Sequence, residues 1–178
     1  MGIKERDDFK FAGLDELEAQ LKLFQLGIES FTPYANQSKV DMIIRTDNGD
    51  LVRYADVKVC TGKSDDEKTV WKLPLSFCLT EDSFVLFTFR LIEEETEQTV
   101  DKHYLVLKLQ KFLEITEKHG VPIEDDHWVM SLPASDVNKF GVLDKKKKIS
   151  FKTPLARSLR QFLDVWKEFQ NWKEWTEE

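Results

Sequence analysis

The chain has 178 residues, 41% hydrophobic and 33% charged, which describes an ordinary soluble protein long enough for one domain with its own core. With 33 acidic against 26 basic residues the net charge is −7, which argues against a general nucleic-acid coat protein and still leaves room for binding through one local patch. Seven glycines and five prolines leave little for linkers, and no apolar run nears the ~20 residues of a membrane span.

Met1 to Phe11 is charged and lacks the apolar centre of a secretory signal. Cys60 and Cys78 each sit in an apolar run, as reduced core cysteines do. Together these features point to the cytosol. The expected organisation is a single domain over 1–178, with a core over about 14–132 and a C-terminal helix over about 155–176.

Residues 14–28 read as an amphipathic helix. Leu14, Leu17, Leu21, Phe24 and Ile28 recur at helical spacing and predict one buried stripe, with Gly27 placed to close the helix. Glu18 lies beside that stripe and Glu16 points away from it. The pattern therefore favours Glu18 as the acid that reaches whatever the helix packs against, with Glu16 as the fallback.

Residues 39–45 and 51–60 read as two β-strands joined by Asn48-Gly49, the strongest short hairpin signal, because both central residues of a type I′ turn need positive φ. Asp56 and Lys58 stand at i and i+2 of the second strand and share a face, with Cβ atoms about 7 Å apart. Counting outward from the turn, Asp41 falls opposite a residue close to Asp56. Four Asp-x-Lys triplets occur, at Asp8, Asp56, Asp66 and Asp144, and only the second lies in an apolar strand facing another acid. Charges in a sheet interior are costly unless they pair or bind something, so an Asp56–Lys58 ion pair is the plain alternative to a binding site.

Further on, 84–91 and 103–109 predict strands, 110–119 a helix ended by Gly120, and 127–132 and 149–152 two more strands. The segment 61–83, with Val70-Trp71-Lys72-Leu73-Pro74, is ambiguous. From Leu155 onward, Leu155, Leu159, Phe162, Trp166 and Phe169 predict one long helix, with Trp172 and Trp175 off its main stripe as a surface for a homodimer. Lys39, Arg45, Arg53 and the Lys145-Lys146-Lys147-Lys148 run are candidates to meet phosphates. Glu124-Asp125-Asp126 before His127 reads as a surface loop, and His103 and His119 have no partner at metal-ligand spacing.

The stretch from Glu18 through Lys58 resembles the PD-(D/E)xK nuclease superfamily. That family pattern is a helix bearing an acid, a strand headed by an acid, a hairpin, and a strand carrying acid–x–lysine. Glu18, Asp41 in Lys39-Val40-Asp41-Met42, and Asp56-Val57-Lys58 match it, with Val40 in place of the proline that names the motif. The resemblance implies a restriction-endonuclease-like α/β fold, a mixed sheet flanked by helices. It also implies Mg²⁺-dependent hydrolysis of DNA, with Mn²⁺ as a substitute. Asp41, Asp56 and Glu18 would hold the metal, and Lys58 would position or deprotonate the attacking water. The helix that should follow the acid–x–lysine strand is missing from 61–83. The rival reading is a catalytically silent protein-binding or regulatory module on such a scaffold. An RNA-directed nuclease is a third.

Overall fold

The computed structural model describes residues 3–33, 40–47, 52–64, 67–77, 82–92, 99–133 and 151–173. Two antiparallel strands, β2 (Met42–Asp47) and β3 (Val52–Thr61), form its centre, flanked by the short β1 (Glu29–Phe31). The register runs from Asp47↔Val52 to Met42↔Val57. Asn48-Gly49 itself lies outside the described residues. β3 pairs in parallel with β6 (Phe84–Ile92), which pairs antiparallel with β7 (Thr99–Lys108). The result is a mixed five-stranded sheet in the order β1-β2-β3-β6-β7, with helices against it, an α/β architecture.

A parallel pair needs a crossover, and helices usually supply it. Here the crossover is made of strands. The chain leaves β3 through β4 (Lys63–Ser64) and β5 (Lys68–Pro74), which join β9 (His127–Pro133) and β8 (Ile123–Glu124) in a second, four-stranded sheet. This is where the missing helix of 61–83 goes: Val70, Trp71 and Leu73 belong to β5. The passage between sheets is tight at Gly62, where a Cβ would stand 2.6 Å from the Thr88 carbonyl oxygen and 2.7 Å from Trp71 Nε1.

Two apolar clusters sandwich the large sheet. On one face, Trp71, Leu73, Met130 and Leu132 of the second sheet pack with Val85, Phe87, Leu105 and Leu107 and with Phe112 and Ile115 of α2 (Leu109–His119). On the other face, Ala55, Val57, Phe84, Leu86 and Val106 pack against α1 (Ile3–Gln25) and against Phe169 and Trp172. Residues 84–89 are therefore buried on both faces, as a central strand requires. The predicted ends of both helices hold. Gly120 (φ 61°) closes α2 in the left-handed conformation. Gly27 (φ 69°) closes α1, with the Ile28 amide donating to the Leu23 carbonyl at 3.0 Å.

Two expectations are corrected. First, the apolar stripe of α1 faces outward: Leu14, Leu17, Leu21 and Phe24 are exposed, and the buried stripe is Asp15, Ala19 and Leu23. Small Ala19 lets the helix approach the sheet closely. Asp15 tolerates the core because its carboxylate is fully bonded there, so counting hydrophobic residues alone selects the opposite face.

Second, the C-terminal helix is broken. α3 (Pro154–Leu159), capped by the Thr153 hydroxyl, runs into a 3₁₀ turn (Arg160–Phe162), and α4 (Lys167–Lys173) follows. Between them Asp164 adopts φ 51°, its amide donates to the Tyr104 carbonyl, and Leu163 bridges to Leu105. The chain unwinds there to cover part of the free edge of β7, which an intact helix could not do. Trp172 becomes core, edge-on to Phe84 and beneath Arg53, so it is no dimer surface. Trp175 lies outside the described residues. Residues 151–152 belong to no strand.

Candidate functional site

β3 outruns β2 at the end away from the hairpin, and that mismatch builds the site. Pairing stops at Met42↔Val57, with the Asp41 amide still donating to the Val57 carbonyl at 3.1 Å. The next β3 amide on that edge, Val59 N–H, meets a side chain. Asp41 Oδ2 accepts it at 2.6 Å, while Oδ1 accepts from Lys58 Nζ at 2.7 Å. The pair is largely buried, with side chains 11% (Asp41) and 21% (Lys58) exposed.

Asp56 stands two residues before Lys58 on the same face, half-buried and opposite Ile43. Among the described residues its carboxylate makes no hydrogen bond or ion pair. The strand thus carries both charges in a row, and Lys58 bonds across the strands to Asp41.

The outward turn of the apolar stripe decides which helical acid arrives. At 100° per residue, Glu16 and Glu18 lie on opposite flanks of the Asp15–Ala19–Leu23 stripe. Glu16 falls on the side of Asp41 and Lys58. Burial raises its carboxyl pKa above the ordinary glutamate value, and the neighbouring Asp41 and Asp15 charges raise it further against a lowering by Lys58. Glu18 goes the other way, ion-paired with Lys102 and accepting from Tyr104 Oη at 3.3 Å. The structure therefore sets Glu16, midway along α1, on the side of Asp41 and Lys58, keeps Asp56 on the Lys58 face of β3, and sets Glu18 apart.

Sequence reading missed the device that fixes Glu16. Asp15 is fully buried, salt-bridged to Lys102 Nζ at 2.5 Å and accepting from the hydroxyls of Thr61 (2.7 Å) and Thr88 (2.6 Å). These bonds tie α1 to β3, β6 and β7 one residue from Glu16. The only sequence signal was the narrow Asp15–Ala19–Leu23 spacing.

The other candidates have partners. Arg45 pairs with Glu29 and Asp47, and Arg53 with Asp82 through two bonds of 2.9 and 2.6 Å. His103 meets Asp164 at 2.7 Å, and His119 meets Ser158 at 2.8 Å. Asp125 and Asp126, with φ 47° and 60°, form the two-residue turn of the β8–β9 hairpin, so that acidic group is a surface turn. Cys60 is buried, and burial pushes its thiol up to about 12, beyond the reach of ordinary thiol chemistry. Lys39, Cys78 and Lys145 to Lys148 lie outside the described residues. Among those described, no helix is long and apolar enough to cross a membrane.

The donor set limits the metal the site suits. Among the described residues no three His, Cys, Asp or Glu side chains gather closely enough to hold a metal ion between them. Asp41, Asp56 and Glu16 are carboxylates, hard oxygen donors of the kind Mg²⁺ takes one or two at a time while keeping several waters.

No family model and no curated protein matches the chain. Among solved structures it is similar to a bacterial homing endonuclease, I-Ssp6803I, at 12% identity over 90% of each chain with a TM-score of 0.47. A TM-score below 0.5 leaves fold and chemistry to the chain's own geometry.

Proposed function

We propose that the protein is a Mg²⁺-dependent endonuclease of the PD-(D/E)xK type acting on DNA, with Asp41 and Asp56 as the metal carboxylates, Glu16 acting through water and Lys58 as the catalytic cation. One observation carries this reading: Asp41, just ahead of β2, accepts from Lys58 Nζ at 2.7 Å and from the Val59 amide at 2.6 Å, with Asp56 two residues before Lys58 on the same face. An acid held against a strand that carries acid–x–lysine is the arrangement such a site requires.

A bound Mg²⁺ supplies Lewis acidity towards a phosphoryl oxygen and towards water. Lys58 Nζ, fixed by Asp41, would orient the attacking water and offset charge growing on the phosphate. Asp56, on the same face as Lys58 and with no partner among the described residues, would hold the ion with Asp41. Glu16 would act on it through water. Glu18 takes no part, since Lys102 and Tyr104 already engage it.

The second reading, a silent binding or regulatory module, draws on the saturation of Asp41. Both of its oxygens are satisfied by Lys58 and Val59, which is enough to fasten two strands. Incubation of supercoiled and linear DNA with Mg²⁺ or Mn²⁺ separates the two. Cleavage by the parent protein and its loss in Asp56→Asn support the nuclease. No cleavage of any DNA form by a folded parent protein supports the module.

A further inference from the structure

We propose that the outward face of α1 is a self-association surface on which a second copy of this chain packs antiparallel. A soluble domain exposes single large apolar residues freely, but contiguous stripes mark an interface. Leu14, Leu17, Leu21 and Phe24 are 46%, 64%, 56% and 76% exposed along one side of α1, spanning about 15 Å of helix at 1.5 Å per residue. A shallow groove of about 390 Å³ lies alongside, lined by Leu17, Leu21 and Phe24 and by Ile28 at the foot of the helix.

The spacing selects the occupant. The stripe steps by three, four and three residues, so it reads the same in both directions. Two copies laid antiparallel put Leu14 opposite Phe24 and Leu17 opposite Leu21, and the same pairs recur across the two-fold axis. An isologous interface needs this self-complementarity, and an unrelated partner would have no reason to impose it. The alternation also matches the a and d positions of a helix pair.

The area reaches the lower end for a specific interface, about 1,000 Å² over both copies. At roughly 150–250 Å² for a large side chain, the four exposed residues offer on the order of 500 Å² of apolar surface. Neighbouring Gln20, Lys22 and Gln25 supply a polar rim, which brings each copy towards the ~800 Å² per partner of a standard interface. The face is independent of the site: the stripe is diametrically opposite Asp15, Ala19 and Leu23, and none of its four residues touches Asp41 or Lys58.

Sedimentation velocity of the full chain from about 1 to 100 µM tests the pairing. The expected result is a dimer for the parent and a monomer for Leu17→Glu and Leu21→Glu, with unchanged circular dichroism because both positions are exposed. A monomeric parent across that range, or a dimer that persists in both variants, overturns the proposal. Cysteine cross-linking tests the register. Leu17→Cys mixed with Leu21→Cys should give disulfide-linked dimers more readily than either variant alone, whereas faster linking of Leu17→Cys to itself rules out the antiparallel arrangement.

Discussion

Two carboxylate–lysine clusters straddle α1, and they differ in how completely they are neutralised. On one flank Asp15 and Glu18 share Lys102, and two threonine hydroxyls and Tyr104 fill the remaining positions. On the other, Lys58 bonds Asp41 and acts on Glu16 through its charge alone, and Asp56 adds a carboxylate with no partner among the described residues. The residue types are nearly the same. The saturated cluster fastens a helix to a sheet, and the unsaturated one keeps surplus negative charge where a cation could relieve it. Composition alone does not separate the two clusters; the partners each carboxylate finds do.

The sharpest way to break the contrast is to alter each lysine. Lys58→Arg keeps a cation on Asp41, so the fold should hold, but a planar guanidinium cannot take the place of a compact ammonium. DNA cleavage should fall on the order of 10²–10⁴-fold, the usual worth of a positioned proton-transfer group. A variant that cleaves like the parent contradicts the role given to Lys58. Lys102→Met should instead strike stability. It strands the fully buried Asp15 charge, and urea denaturation should show a loss of about 3–5 kcal/mol. An unchanged midpoint would show that the threonine hydroxyls suffice for Asp15.

Glu16→Gln probes the surplus charge itself. An acid whose folded pKa is raised favours the folded state below its unfolded value of about 4.5, and that contribution is lost as pH rises through the raised value. The glutamine variant should therefore melt higher than the parent at pH 7 without metal and lose this advantage below pH 4. A lower melting temperature at pH 7 would place Glu16 among the stabilising residues. The smallest effect is expected from Glu18→Gln. Its ion pair is partly exposed, worth about 0–1 kcal/mol, and cleavage should be unchanged.

The site's strands were legible because local chemistry fixes them. Residues 39–45 and 51–60 sit where β2 and β3 form, within a few residues at their ends, and the antiparallel pairing sets Asp41 beside Lys58. Gly27 and Gly120 ended their helices because only a left-handed residue closes a helix that way. What escaped was decided by distant partners. Asp15 sits in the core only because Thr61, Thr88 and Lys102 meet it there, 46 to 87 positions away, and this reverses the face of α1 and exchanges Glu18 for Glu16. The break at Asp164 likewise depends on the free edge of β7, which no pattern within 155–176 reveals. β5 was ambiguous in sequence because its partner, β9, begins more than fifty residues later.

Calorimetric titration of Mg²⁺ into the parent, Asp41→Asn and Glu18→Gln tests the central claim most directly. The two-cluster account predicts binding at millimolar or lower metal by the parent, the same binding by Glu18→Gln, and at least a tenfold loss in Asp41→Asn. Equal binding by the parent and Asp41→Asn, or no binding by a folded parent at millimolar metal, would contradict it.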